Sequence, residues 1–181
     1  MSGKSDARKA LERLNGLSDG PEWVLLDLDE ATGRARVISR DVILQKPYDF
    51  PGGCAVTWDK CTIRDWLNTE FFNGLPAEIR ERAIRTEIVT NDNCAIPGGD
   101  STNDYVFLLS IEEYNDMPEE LRAATLNGKP CWWWLRSPGY AATDVANVMP
   151  NGALDGGLKG HGFYSHCDCG GVRPAMFLQL T

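Results

Sequence analysis

The sequence has no long apolar run, and its first residues contain no apolar centre of the kind found in signal peptides. A membrane-spanning helix needs about 20 consecutive apolar residues. Basic residues are also scarce, because 18 Lys and Arg stand against 26 Asp and Glu, a net charge of −8. Nucleic acid and anionic membrane surfaces both attract basic faces. We therefore expect no nucleic-acid partner, no membrane span, and a cytoplasmic or virion-associated protein.

Histidine is rare, and the two that occur lie close to two of the six cysteines. His161, His166, Cys167 and Cys169 are all possible zinc ligands. A C-x-C pair does not easily supply two ligands to one tetrahedral ion, and no C-x-x-C or H-x3-H pair occurs elsewhere, so we expect no metal site. His166 could lower the pKa of the Cys167 thiol, but sequence neighbours often point to opposite sides. We expect mostly reduced thiols in a chain of this length without an export signal.

Motifs of the common enzyme classes are absent. The chain has no hydrolase triad motif and no phosphate-binding loop, and the glycines of 151–162 do not form G-x-G-x-x-G between a strand and a helix. The polar stretches 91–93 and 98–104 lack the regular acidic spacing of a dedicated calcium loop. We expect a protein that is not an enzyme, with no catalytic residue and no cofactor.

Apolar periodicity predicts an α+β fold. A helix is expected at Ser5–Asn15 with Ser5 as its cap, followed by an inner strand at Trp23–Leu28 and a second strand from Arg34. Helices are also expected around Ile63–Phe71, capped by Thr57 or Asp59, and at Pro76–Arg85. The WWWL stretch predicts a strand buried on both faces, and Pro174 predicts that the final strand starts at a sheet edge or bulge. We divide the chain into an N-terminal helix and linker at 1–20 and one domain at 21–181.

The segment 139–171 has an unusual composition. It holds eight glycines and no Trp, Glu, Gln, Arg or Ile, although the rest of the chain uses all of these. Tyr, Asn, Asp, Ser and His are typical of adaptable binding loops, since they combine a modest ordering cost with flexible hydrogen bonding. The segment predicts a binding surface, and the alternative is an ordinary glycine-rich loop.

Three stretches carry a family resemblance. WWWLRSPG at 132–139, VANV at 145–148 and GGVRPAMFL at 170–178 resemble a bacterial and phage domain of C-type-lectin-like fold. The segments VTWDKCTIRDWLNTEFFNGL and YVFLLSIEEY resemble the helix and central strand of the same family. The resemblance therefore implies a C-type-lectin-like fold with small twisted antiparallel sheets, two or three helices and long C-terminal loops.

In many members of that family, the region between WLRSPG and GVRPA is diversified by a retroelement that mutates adenines. Changing the first two bases of AAY codons never yields Trp, Met, Gln, Lys or Glu, and Met149 and Lys159 are the exceptions within 139–171. The resemblance implies a ligand-binding protein for an unknown protein or other macromolecule, with Arg136 and Arg173 structural and Cys167 and Cys169 as library outcomes. The ligand-facing residues that it implies are Tyr140, Thr143, Asp144, Asn147, Asn151, Asp155, His161, Phe163, Tyr164, His166 and Asp168.

Two alternatives stay open. Formylglycine-generating oxidases share the broad fold and bind copper through a cysteine pair, although the surroundings of Cys167 and Cys169 lack that family's motif. An undiversified phage or cell-surface structural module is the other. The calcium-dependent Glu-Pro-Asn sugar motif is missing.

Overall fold

The computed structural model describes residues 2–17, 20–157 and 160–180. Lys159, one of the two residues that AAY codons cannot yield, lies outside these ranges. Residues 18 and 19 of the expected linker also lie outside them. The helices are α1 (Ser2–Asn15), α2 (Thr62–Trp66), α3 (Phe72–Gly74), α4 (Ala77–Arg82) and α5 (Ile111–Asn115). The strands are β1 (Trp23–Asp29), β2 (Arg34–Ser39), β3 (Leu44–Gln45), β4 (Ala83–Ile84), β5 (Thr86–Ile88), β6 (Thr102–Asp104), β7 (Val106–Phe107), β8 (Ala124–Leu126), β9 (Lys129–Cys131), β10 (Trp133–Pro138), β11 (Asp144–Val148), β12 (Leu154–Asp155), β13 (Phe163–Tyr164), β14 (Gly171–Val172) and β15 (Ala175–Gln179).

The first sheet is antiparallel and centres on β15. Its order is β1-β2-β15-β4, and β7 also pairs with β15. The β1–β2 hairpin turns where the Thr32 hydroxyl donates to the Asp29 carboxylate and Gly33 adopts a φ of 73°. The expectation that Trp23–Leu28 is an inner strand is wrong, because among the described strands β1 lies at the sheet edge. Its apolar side chains pack toward α1 and the core, which an apolar run alone does not distinguish from a central position.

The second sheet contains β10, which carries the WLRSPG motif, and β14, which begins the GVRPA motif. Its order is β12-β11-β10-β14-β3, with β13 also paired to β11. Every residue of β10 is buried, as predicted for 133–135, whereas Trp132 precedes the strand and is half-buried. The chain leaves this sheet after β14 and enters the first sheet as β15, and Arg173 and Pro174 form the crossing. Proline has no N–H to donate to a ladder, so it suits the point where one strand pairing ends and another begins.

The observed starts and lengths of the helices differ from the predicted ones at several places. α1 starts at Ser2, so Ser5 is inside the helix and is not its cap. α2 follows Cys61 and continues through a π-helical turn at Leu67–Phe71 into α3, so neither Thr57 nor Asp59 caps it. α4 is shorter than predicted, because residues 83 and 84 pair with β15. α5 has a capping box, in which the Ser110 side chain accepts from the Glu113 N–H and Glu113 accepts from the Ser110 N–H.

One hydrophobic core joins these elements. α1 contributes Ala7, Leu11 and Leu14 to the same cluster that contains Trp133 and Trp134. The Asn15 side chain also brackets Trp23, donating to its carbonyl at 2.9 Å and accepting from its N–H at 2.8 Å. The predicted α+β class is confirmed, because the chain combines several small sheets, most of them antiparallel, with a few helices. Within the described ranges, no helix is both long and apolar enough to cross a membrane.

Candidate functional site

The arginine of the WLRSPG motif is a buried structural group. The Arg136 guanidinium donates to the carbonyls of Leu108 at 2.7 Å and Val89 at 3.0 Å. It also pairs with the Glu113 carboxylate at 2.5 Å, the same group that closes the capping box of α5. A buried cation is stable only when its donors are satisfied and its charge is compensated. Arg136 therefore joins β10 to α5 and to the chain before β6.

The arginine of the GVRPA motif is buried as well, but its hydrogen-bond acceptors are neutral. Arg173 donates to the carbonyls of Ser39 at 2.9 Å, Arg40 at 2.8 Å and Leu121 at 2.6 Å. Burial lowers the pKa of Arg173 to about 10, which leaves the guanidinium charged at neutral pH. Arg136 and Arg173 are thus both buried and bonded to backbone carbonyls, which agrees with the structural role expected for them.

Glycines allow the segment after residue 159 to pack closely against β10 and β11. β13 pairs with the start of β11, with Tyr164 opposite Asp144 and Phe163 opposite Val145. Gly162 has a φ of 79°, and a Cβ there would lie 2.4 Å from the Val145 carbonyl oxygen. Gly170 lies against Trp134, where a Cβ would be 2.0 Å from the indole nitrogen. Close approach of the backbone to neighbouring residues thus explains why glycine occurs at these two positions.

The expected ligand-facing residues divide into three groups by exposure. Tyr140 and Tyr164 are 55% and 63% exposed. The side chains that are exposed in the expected set are Tyr140, Asn151, His161, Tyr164, His166 and Asp168. The half-buried ones are Thr143, Asp155 and Phe163. Asp144 and Asn147 form the third group, which is buried.

Two ring pairs stand together at one end of β11. Tyr140 and His161 meet edge to face with ring centroids 5.1 Å apart, and Tyr164 and His166 stack with centroids 5.7 Å apart. The Tyr140 N–H donates to the His161 carbonyl, and Tyr164 lies opposite Asp144, so both pairs belong to the same end of the strand. Asn151 lies in the turn beyond the other end, after Val148.

Phe163 has a structural role that its exposed neighbours do not share. Its ring centroid lies 4.5 Å from that of Trp132, which in turn lies 4.6 Å from that of Trp134. Phe163 therefore holds β13 onto the aromatic layer of the second sheet. Its side chain is half-buried.

The structure departs from the sequence expectation at Asp144 and Asn147. Asp144 is 8% exposed and Asn147 is fully buried on β11, so neither side chain faces a ligand. The Asn147 amide nitrogen lies 3.7 Å from the Met149 sulfur, and its oxygen accepts no hydrogen bond from the described residues. All five residues of β11 are buried, because β10, β12 and β13 pair with it and the core covers it.

One exposed aromatic was missed by the sequence reasoning. Phe50 is 71% exposed, and the loop that carries it lies beside His166, since a Cβ on Gly52 would meet the His166 Cβ at 2.3 Å. The Asp49 N–H donates to the Ser165 carbonyl at 3.0 Å, and the Val56 N–H donates to that of Ala142. The sequence signal for this position is Pro-Gly-Gly, which indicates a turn, and turns lie on the protein surface. We call Phe50, Tyr140, His161, Tyr164 and His166 the aromatic surface.

A cleft adjoins the aromatic surface at Phe50. It has a volume of about 490 Å³, and Trp66, Lys46, Asp65 and Glu70 are among the residues that line it. The Lys46 ammonium lies 5.3 Å from the Trp66 ring centroid. The cleft therefore extends the aromatic surface with a second ring and with charges of both signs.

The six cysteines all carry free thiols. Cys61 is fully buried, and burial raises the pKa of its thiol to about 12. The sulfurs of Cys167 and Cys169 lie 3.2 Å apart, and a hydrogen bond with Cys167 raises the pKa of the Cys169 thiol. In the part of the chain that the structure describes, no three His, Cys, Asp or Glu side chains converge as a metal-binding group.

Fold and site together define an α+β domain with an exposed surface of aromatic and imidazole side chains. The segment between β10 and β14 and the loop of Phe50 carry this surface. The chain belongs to a family described as a domain of unknown function (DUF6273), whose profile matches residues 32–180. Comparison with curated proteins found no match. Comparison with solved structures also found none.

Proposed function

We propose that this protein is a recognition protein whose C-terminal surface is diversified by a retroelement on a C-type-lectin-like scaffold. Its ligand is a protein or another macromolecule. The diversified region is 139–171, and the aromatic surface is the centre of contact. No catalytic step is part of the function.

The observation that carries the proposal is the contrast between the two motifs and the segment between them. Arg136 and Arg173 are buried and bonded to backbone carbonyls, whereas Tyr140 and Tyr164 are more than half exposed. A surface that changes its side chains without unfolding needs this separation, because a variable residue must not carry the packing of the core. The motif strands supply the packing.

The side chains of the aromatic surface suit recognition. Tyrosine and phenylalanine offer large, rigid contact areas with few rotatable bonds, and an imidazole adds hydrogen-bonding capacity. Interface residues that dominate binding are often aromatic and surrounded by weaker contacts. Tyr164, Tyr140 and Phe50 are therefore the expected anchors, with Asp168 and Thr143 at the periphery.

Asp144 and Asn147 belong to the framework in this proposal, since neither side chain reaches the surface. At Asn147, variation would be limited to side chains that fit the buried space, whereas at Tyr164 the exposed position would accept side chains of many sizes. The proposal thus predicts unequal tolerance along the diversified region.

The experiment that tests the proposal is sequencing the encoding gene with several kilobases of flanking DNA. We expect a near-copy of codons 139–171 that carries adenines where the gene differs, beside a reverse transcriptase gene. The mismatches should fall on exposed positions such as Tyr164 and His166 and spare the buried Asn147. Flanking DNA without such a copy would overturn the diversification.

The second candidate is a copper or thiol oxidase of the formylglycine-generating type. The observation that favours it is the 3.2 Å separation of the Cys167 and Cys169 sulfurs. Titration with Cu(I) distinguishes the two functions. Tight stoichiometric binding that is lost in Cys167→Ser supports the oxidase, and absence of such binding supports recognition.

A further inference from the structure

The pair Cys167 and Cys169 is placed for a reaction that recognition does not use. Their sulfurs lie 3.2 Å apart, across one intervening residue, in the turn that follows β13. A disulfide needs a sulfur–sulfur distance of about 2.05 Å, so closing the bond requires a small change of side-chain torsions. Cys169 is exposed and Cys167 is half-buried, so a soluble oxidant can reach the pair.

The turn around the pair is held from two sides. The Gln45 amide donates to the Cys169 carbonyl at 2.8 Å, which ties the turn to β3. The Cys167 N–H donates to the Tyr164 carbonyl at 2.9 Å, which ties it to the aromatic surface. These bonds fix the backbone on both sides of Asp168 while both sulfurs stay on the same side. Of the other cysteines, Cys61 and Cys131 are buried, Cys94 is half-buried, and Cys54 lies in the loop after Phe50.

We propose that Cys167 and Cys169 form a reversible intramolecular disulfide, a modification site that fixes the turn carrying Tyr164 and His166. The oxidant is a low-molecular-weight disulfide of the glutathione class. The chemistry of the pair does not depend on whether the aromatic surface binds a ligand.

The exchange balances in two steps. The Cys169 thiolate attacks one sulfur of oxidised glutathione, which breaks the glutathione disulfide, forms a mixed disulfide and releases one glutathione thiolate. The Cys167 thiolate then attacks the Cys169 sulfur and releases the second glutathione. Two electrons pass from the cysteine pair to the oxidant, and the two thiol protons end on the two released glutathiones.

The consequence is a smaller range of backbone conformations at residues 164–170. The ring closed through Asp168 restricts the torsions of the residues that follow His166. A surface that is already ordered loses less conformational entropy when it binds. The oxidised form therefore presents the Tyr164 and His166 pair in a more fixed arrangement than the reduced form.

The test uses the full chain in glutathione redox buffers of graded ratio. Free thiols are then trapped by alkylation and intact mass is measured. We expect the chain to lose two hydrogens and two alkylation sites, with peptide mapping placing the bond at 167–169. Reduction with dithiothreitol should restore both thiols.

Three variants make the test specific. Cys169→Ser and Cys167→Ser should each abolish the loss of two hydrogens and leave a glutathione adduct on the remaining cysteine. Cys54→Ser, which removes the other exposed thiol, should leave the internal disulfide unchanged. Circular dichroism checks that each variant is folded. Glutathione adducts in the wild type that do not resolve into an internal bond would overturn the proposal, as would a bond that maps elsewhere. Amide exchange at 164–170 should be slower in the oxidised protein, and equal exchange would refute the fixing of the turn.

Discussion

The guanidinium carbon of Arg173 lies 4.9 Å from the centroid of the Trp133 indole ring. This contact joins the GVRPA segment to the WLRSPG segment in the core, next to the point where the chain passes from one sheet to the other. A guanidinium over an indole face gains from the ring quadrupole, most strongly where water is excluded. The contact fixes the relative position of the two chain segments that flank residues 139–171.

Replacing this arginine should destabilise the fold. We expect Arg173→Met to lower the free energy of unfolding by about 3 kcal/mol, because one buried and two partly buried carbonyls lose their donor. Chemical denaturation measures the change. The matched control is Arg40→Met, whose half-exposed side chain pairs with Glu22 and should cost less than about 1 kcal/mol. Equal losses in the two variants would contradict the structural role of Arg173.

Removing the unpaired amide of β11 should stabilise the fold. Asn147→Leu replaces a fully buried carboxamide, whose oxygen accepts nothing from the described residues, by an apolar group of similar volume. We expect a gain of about 1 kcal/mol, and thermal unfolding should shift upward by about 2–4 °C. Asn103→Leu, on an exposed position of β6, should change stability by less than about 0.5 kcal/mol. A loss of stability in Asn147→Leu would show that the amide is satisfied.

Neighbouring rings of β13 should respond differently to truncation. Phe163→Ala removes the ring that packs on Trp132, and we expect it to cost about 2 kcal/mol, below the range for a fully buried phenylalanine. Tyr164→Ala truncates a ring that is 63% exposed and should cost less than about 0.5 kcal/mol. Urea denaturation of both variants checks the difference. If Tyr164→Ala were as costly as Phe163→Ala, Tyr164 would belong to the framework and not to the aromatic surface.

Alkaline pH should weaken the fold through the buried thiol of Cys61. Its pKa is raised from 9.0 to about 12 in the folded chain, so between these values the folded state holds a proton that the unfolded state has released. The stabilisation is fully present below pH 9 and decreases by about 1.4 kcal/mol per pH unit as the pH rises toward 12.

The measurement is denaturation across that pH window in matched variants. Cys61→Ala should show a shallower loss of stability with pH than the wild type, and Cys54→Ala should follow the wild type because Cys54 is exposed. The buried Tyr48 phenol, whose pKa is also raised, adds to the loss in all three proteins. Identical slopes in Cys61→Ala and wild type would contradict the shift.

Much of the framework could be predicted from the sequence because it depends on local patterns. The run of apolar and aromatic residues around Trp133 predicts a strand buried on both faces, and the structure has that strand. Pro174 predicts a start of the last strand at a sheet edge or bulge, and this is wrong, because β15 starts between β2 and β7 inside the first sheet. The roles of Arg136 and Arg173 follow from the resemblance, and both side chains donate to backbone carbonyls as expected.

Other features required the tertiary structure. Asp144 and Asn147 have the residue types of a binding loop, yet pairing of β11 with three strands buries both. Phe50 lies far from Tyr164 in sequence, and its loop reaches the same surface through tertiary contacts, among them that of Gly52 with His166 and the hydrogen bond from Asp49 to Ser165. Apolar periodicity did not distinguish the edge strand β1 from a central one.

By itself, the sequence determined the fold class, the buried strand at 133–135 and the segment that carries the mixed polar and aromatic residues. These follow from periodicity and composition, which are properties of neighbouring residues. The tertiary structure decided which of those residues reach the solvent and which distant residues join them. Exposure and the position of the Phe50 loop beside His166 depend on how strands and loops pack across the chain, and that packing is not written in any local stretch.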